Sequence, residues 1–369
     1  MTEKRLRILL IGPHPESLHG PAVGGTTIPF KLLAASLTGR DGMEVSVVNT
    51  QGIRGGGMRA PLRYLRVLGA IAGEIPKSDV VSLHVVRWGL HSLAPFVSVL
   101  SRLFGRPYLI RKFGGTDYGV YPAPLRAFIH WGVKTANLYL VETKALVEGA
   151  RHDGIEHVRW YSNSRPMPEL PEEDSADREC RRFVCLGQLR RGKGLAEVIE
   201  AGERFGGDVV VDVYGTSGYD VAVSIFDRLD HVRYRGSVDP DDVRSVLSGY
   251  DALLLPTYLP TEGYPGVIPE AYSAGLPVIC TNWRQLPEMV DESTGILVEP
   301  RSADSLYVAM KRLRDDPALF GRLRAGVRER RREFDSELWA DRFLEYCREI
   351  AGSSVSRSVT DTRVRRTQR

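Results

Sequence analysis

The chain has 369 residues, of which 43% are hydrophobic and 26% charged, with a formal net charge of +4. That length exceeds one ordinary core and that balance excludes a disordered or fibrous chain, so two globular domains are expected. The four cysteines form no CxxC pair and no zinc spacing, which excludes a disulfide framework or a zinc cluster and suits a reducing compartment.

The charge is unevenly spread. Residues 1–165 carry 21 Lys/Arg against 11 Asp/Glu, residues 166–351 carry 24 against 34, and residues 352–369 carry 5 against 1. A basic first domain suggests an anionic partner for it. Lys4, Arg5 and Arg7 precede an apolar run that stops at Gly12. A secretory core needs roughly 7–15 apolar residues, so this run reads as a first strand. No run approaches the ~18 apolar residues that would span a bilayer, and a cytoplasmic protein is expected.

In chain order, strands are predicted at 6–11, 44–49, 80–85, 108–112 and 138–142, with helices at 26–36, 61–72, 93–104 and 124–134 between them. Such alternation argues for a parallel sheet covered on both faces. On the second helix a wheel places Arg59, Arg63 and Arg66 on one face and Leu65, Leu68, Ile71 and Ala72 on the other. The plain interpretation is a solvated face; the sharper one is contact with anionic lipid headgroups. Prolines 166, 168 and 171 and a cluster of acids mark a linker. A second alternation follows, with strands at 182–187, 209–214, 232–234, 252–255 and 278–281 and helices at 194–203, 221–228, 241–247 and 270–274. An amphipathic helix at 336–350 precedes a Ser- and Arg-rich tail expected to be disordered. The predicted organisation is a first domain over 1–165, a linker over 166–180, a second domain over 181–335, a helix over 336–351 and a tail over 352–369.

Several chemistries are absent. The first strand is not followed by GxGxxG, and there is no Walker loop and no GxSxG elbow. Asp239–Pro–Asp–Asp242 contains a DxD, but it stands just before a helix, where Asp caps free amides and Pro suits the first turn.

The chemistry concentrates in PTYLPTEGYPGVIPEAYSAGLPVICTNWRQLPEMVDESTGILVEP, residues 256–300. Glu262 and Glu270 are separated by seven residues. If Glu270 opens a helix, both carboxylates can face one cleft, and glycines 263 and 266 let backbone amides approach an anion. Carboxylates accept hydrogen bonds from vicinal hydroxyls, the usual way of holding a ribose or hexose.

This stretch resembles the C-terminal signature of retaining glycosyltransferases of the GT-B fold, glycosyltransferase family 4. The matching positions are Glu262, Glu270, Ala271, Gly275, Pro277, Val278, Ile279, Pro287, Glu288, Thr294 and Gly295. Upstream, LGQLRRGKG (186–194) resembles the family's G-R-L-x-x-x-K-G, with Lys193 at the lysine and Gln188 in place of the arginine. The resemblance covers roughly 6–350. It implies an α/β GT-B architecture: two facing Rossmann-like doubly wound domains, with a C-terminal helix crossing back to the first.

The resemblance also implies site roles. Lys193, with Arg190 or Arg191 nearby, would grip the donor diphosphate. Glu270 would bind the ribose, and the backbone near Gly215 and Val238 would surround the base. Glu262 with Gly263, Tyr264, Pro265, Gly266 and Val267 would orient the sugar. Gly24 and Gly25 match the glycine loop before the first helix, and His84 the histidine ending the third strand; a satisfied structural histidine is the competing interpretation. The family's H-G-x-D is replaced by KFGGTD, with Gly114 at the histidine position, so Lys112 and Asp117, with His19, are the acceptor-side candidates.

The implied activity is retaining, metal-independent transfer of a hexose-type sugar from a nucleotide diphosphate donor, UDP-sugar favoured. The acceptor would be a glycan or lipid-linked molecule of polysaccharide or envelope synthesis, with no cofactor, no nucleic acid and possible peripheral contact with an anionic membrane. The alternatives are a nucleotide-sugar sensor on the same fold and a nucleotide-sugar epimerase.

Overall fold

The computed structural model describes residues 5–14, 25–53, 60–115, 123–171, 179–218 and 220–366. These divide into two units. One runs through Ser162 and resumes at Ser336; the other is Asn163–Asp335.

The first unit contains β1 (Leu6–Gly12), α1 (Thr27–Thr38), β2 (Met43–Asn49), α2 (Ala60–Glu74), β3 (Val80–Val85), α3 (Arg87–Ser92), α4 (Ala94–Leu103), β4 (Tyr108–Lys112), α5 (Ala123–Lys134), β5 (Leu138–Val141), α6 (Lys144–His152) and β6 (Val158–Trp160). Its strands form one parallel sheet in the order β2-β1-β3-β4-β5-β6. β3 and β4 are buried along their whole length because both faces are covered, which is why they read as mostly apolar runs, interrupted by Ser82 and His84 in β3 and ended by Arg111 and Lys112 in β4. One face packs on α2 to α6 through Ile71, Val97, Ile129 and Val147; the other packs on α1 through Phe30, Leu33 and Leu37.

The second unit contains β7 (Arg182–Leu186), α7 (Leu195–Glu203), β8 (Val210–Tyr214), β9 (Val232–Tyr234), α8 (Val243–Leu247), β10 (Ala252–Leu255), α9 (Val267–Ser273), β11 (Val278–Thr281), β12 (Gly295–Val298), α10 (Ala303–Asp315) and α11 (Pro317–Arg330). Its parallel sheet has the order β12-β11-β10-β7-β8-β9. The chain reverses direction between β7 and β10, and in the first sheet between β1 and β3. Open parallel sheets bind ligands at the carboxyl ends of such strand pairs.

The chain then returns to the first unit as α12 (Ser336–Arg366). Trp339, Ala340, Phe343, Leu344, Cys347 and Ile350 of this helix complete the core on the α1 face. Trp339 is clasped edge-on by Trp160 and Tyr161 at 4.9 and 5.0 Å, and Tyr161 Oη donates to its carbonyl at 2.8 Å.

Some expectations are corrected. The backbone stays helical past Gly352 to Arg366, because no proline or further glycine interrupts the run. Leu65 does not join the core face of α2. It is 62% exposed, and Tyr64, Val67, Leu68 and Ile71 pack inward instead. Residues 223–228 form a 3-10 turn rather than an α-helix. Asp242 stands at the N-cap of α8, yet its side chain makes no capping hydrogen bond. Arg59 lies outside the described residues.

Candidate functional site

The site in the second unit is built where β7 and β10 end. After Leu186 the backbone turns at Gly187 (φ +152°) and lies directly against Gly215 (φ +144°) at the end of β8. A Cβ on Gly215 would come within 1.7 Å of the Gly187 carbonyl oxygen, so only glycine fits there. The Leu189 amide donates to Thr216 O and the Gly218 amide to Leu189 O, both at 2.9 Å, which lays the first loop alongside the segment after β8. The loop then tightens into a turn at residues 191–193 and ends at Gly194 (φ +77°), whose Cβ would meet Pro256 O at 2.2 Å. The Tyr258 amide donates to Gly192 O at 2.8 Å, and Thr257 Oγ1 lies 3.3 Å from the same oxygen. The two loops are stitched together at the switch point.

That stitching brings Lys193 to Glu262. Lys193 Nζ donates to Glu262 Oε2 at 2.6 Å, and Thr257 Oγ1 donates to the same oxygen at 2.8 Å. Thr281 Oγ1 in turn donates to Thr257 O, tying the group to the end of β11. The Lys193 side chain is 25% exposed and that of Glu262 10%, a pair at the rim of solvent. Below it, burial pushes the Cys185 thiol up to about 12 despite the nearby Lys193 charge, so it is an inert packing group.

Glu270 is held differently. α9 begins at Val267, so Glu270 is its fourth residue and does not open it. Arg165 Nε donates to Glu270 Oε1 at 2.8 Å, with both side chains largely buried. Gly263, Tyr264 and Pro265 are buried, while Gly266 and Val267 are half-buried. Asn163 Nδ2 donates to Tyr264 O at 3.1 Å, anchoring the loop between the two carboxylates. Gln188 and Arg191 are exposed, and the Arg191 amide donates to Asp220 Oδ2 at 3.3 Å. Arg190 and Val238 are half-buried.

The structure thus brings together Lys193, Glu262, Glu270 and the loop between the carboxylates within one unit. Arg165 and Thr257 complete the set and were not foreseen. Thr257 stands inside the quoted motif as an ordinary strand-end threonine, and Arg165 belongs to no motif.

His84, Lys112 and Gly25 belong to the first unit. His84 is 1% exposed, with Nε2 hydrogen-bonded to Ser82 Oγ at 2.8 Å and Nδ1 buried without a hydrogen bond. Burial, with the Arg111 charge nearby, holds the imidazole well below its usual range and therefore neutral. Phe30, Phe343 and Phe113 surround it at ring separations of 4.9, 5.9 and 6.3 Å. His84 lines a cavity of about 140 Å³ together with Thr50, Ile53, Trp88, Leu93 and Phe113. Lys112 is 1% exposed and its ammonium donates to Gly114 O at 2.8 Å. Gly114 adopts φ +89°, and its amide donates to Glu142 Oε2 at 2.7 Å. Gly25 is exposed with open space around its Cα. Gly24, His19 and Asp117 lie outside the described residues.

Among the described residues no group of His, Cys, Asp and Glu is placed to hold a metal, and no helix is long and apolar enough to cross a membrane.

Two six-stranded parallel sheets with these helices make the fold that of the GT-B glycosyltransferases. HepE of Anabaena, solved in complex with UDP, superposes with a TM-score of 0.73 at 13% identity, over 93% of this chain and all of that one. Sucrose-phosphate synthase from Thermosynechococcus elongatus gives 0.71 at 17%, over 95% of this chain and all of that one. More particularly, residues 180–316 match the family described as Glycosyl transferases group 1. TuaC of Bacillus subtilis, named for teichuronic acid biosynthesis, is 29% identical over 229 residues, covering 58% of this chain. The match spans only 57% of that relative's length.

Proposed function

We propose that the chain is a glycosyltransferase that moves a hexose-type sugar from a nucleotide diphosphate donor, most favourably a UDP-sugar, with retention of configuration and without a metal. The observation that carries this reading is the Lys193–Glu262 pair at the switch point of a group 1 domain. A lysine ammonium half-open to solvent is a cation that an incoming diphosphate can recruit. Glu262 already has both of its hydrogen bonds on Oε2, which leaves Oε1 for a sugar hydroxyl. Glu270 Oε2 is in the same position toward a ribose.

The reaction then runs on positioning and charge. The bond from the anomeric carbon to the diphosphate breaks as negative charge builds on the leaving oxygen, and Lys193 with Arg190 or Arg191 stabilises it. A fixed cation supplies here what a metal would otherwise supply. Gln188, Gly215 and Val238 border the base and diphosphate, and amides of Gly263 to Val267 face the sugar. The cavity beside His84 takes the acceptor. Its neutral imidazole donates or accepts a hydrogen bond there without placing a charge in an apolar wall.

TuaC is named for teichuronic acid biosynthesis, which favours a glycan or lipid-linked acceptor of envelope polysaccharide synthesis. Four free thiols fit a reducing cytoplasmic setting. Peripheral attachment to an anionic membrane is favoured by α2, where Leu62 and Leu65 are exposed beside exposed Arg63 and Arg66. Flotation with anionic against neutral vesicles tests it, and equal recovery rejects it.

The central test screens UDP-, GDP- and ADP-sugars for thermal stabilisation and for transfer or hydrolysis, with EDTA and Mg²⁺ varied. A donor far above its dissociation constant raises stability by about 2–4 kcal/mol. A donor that stabilises and is never turned over favours the sensor; one returned as its epimer favours the epimerase.

A further inference from the structure

Arg165 carries an inference that the matched motifs do not. Its amide donates to Phe334 O at 2.9 Å, so the segments by which the chain enters and leaves the second unit run side by side at this residue. The guanidinium is held at two of its three nitrogens. Nη1 donates to Asn163 Oδ1 and to Ser164 O, both at 2.9 Å, and Nε donates to Glu270 Oε1 at 2.8 Å. Its flat face lies on Gly266, where a Cβ would come within 2.1 Å of Nη2. The side chain is 6% exposed and that of Glu270 15%.

Burying such a pair gives little net stability, because desolvation offsets the attraction. What the pair does give is orientation. A planar fork whose Nη1 is fixed to a backbone carbonyl and a side-chain amide has the direction of its Nε set with it. That fixes Glu270 Oε1 and leaves Oε2 as the oxygen available to a pair of neighbouring hydroxyls. Asn163, which holds the fork, also holds the Tyr264 carbonyl, so the carboxylate and the sugar-facing loop share one support.

We propose that Arg165 is a positioning residue for donor recognition: it selects the oxygen of Glu270 that meets the ribose diol. The proposal rests on the reading of Glu270 as the ribose ligand. The test is calorimetric titration of the full chain with UDP and with 2′-deoxy-UDP, for wild type, Arg165→Gln, Glu270→Gln and the double variant. Wild type should prefer UDP by about tenfold or more, the worth of one charge-assisted hydrogen bond. Arg165→Gln should bring that preference close to unity, and the double variant should bind no worse than Glu270→Gln alone.

An Arg165→Gln protein that keeps the full preference for the 2′-hydroxyl overturns the proposal, whatever happens to its melting temperature. If that variant does not fold, Gly266→Ala displaces the guanidinium while keeping both charges; the preference should fall there too, and its persistence is equally decisive. The readings separate cleanly. Wild type that binds no UDP, GDP or ADP overturns the donor reading and this proposal with it. Wild type that binds UDP, with loss in Glu270→Gln but retention in Arg165→Gln, overturns this proposal alone.

Discussion

The carboxyl ends of β7 and β10 and those of β1 and β3 occupy the same place in their two sheets, yet they are furnished in opposite ways. In the second unit the switch point is charged: Lys193 meets Glu262, Arg165 meets Glu270, and hydroxyls of Thr257 and Thr281 brace them. In the first unit it is largely aromatic: His84 is walled by Phe30, Phe113 and Phe343, stays neutral with the Arg111 charge nearby, and opens on a small, mostly apolar cavity. The Lys193–Glu262 pair at the rim of solvent can exchange a partner, whereas an aromatic wall around a neutral imidazole offers packing without a change of charge.

Trp339→Ala removes the indole that closes the first unit's core and should cost about 3–5 kcal/mol in a denaturant titration. A loss below about 1 kcal/mol would mean that α12 is an accessory rather than a part of that core. Lys193→Ala should cut turnover about a hundredfold to a thousandfold, as loss of one preorganised charge donor does, with folding unchanged by circular dichroism. Near-normal turnover would remove the leaving-group role from the second unit's switch point.

Gly194→Ala places a side chain at φ +77° and 2.2 Å from Pro256 O. It should lower stability by at least about 1–2 kcal/mol and weaken donor binding together with it. Smallest is a pH effect from the first unit. His84 titrates below its unfolded value, so its folded form resists protonation. Stability is complete above about pH 6.5 and declines as pH falls below it, by at most about 1.4 kcal/mol per unit. His84→Gln should remove that part of the acid slope, and an unchanged slope would show that the imidazole is not neutral.

Much of the fold was legible because buried parallel strands write themselves as short apolar runs; β3, β4, β10 and β11 lie where the pattern placed them. β6 escaped because three residues, one of them Arg159, carry no readable period. β12 was hidden inside a stretch read as motif. Leu65 misled the helical wheel because α2 buries a narrower stripe than its composition suggests. At the site, Lys193, Glu262 and Glu270 were each legible, but their partners were not. The Lys193–Glu262 bond joins residues 69 apart and the Arg165–Glu270 bond residues 105 apart, distances over which only the sheet order decides who meets whom.

The contact between Gly187 and Gly215 also limits how this protein can change. At Gly215 a methyl group would come within 1.7 Å of the Gly187 carbonyl oxygen, whereas Gly187 has open space around it but a φ of +152°, which side chains rarely adopt. Any redesign of this loop must therefore leave Gly215 untouched and keep the unusual backbone of Gly187, working through neighbours such as Gln188 and Val238. A library randomised over the whole loop would lose members to steric overlap at Gly215 and to backbone strain at Gly187, while one that spares both would spend its diversity on positions with room for a side chain.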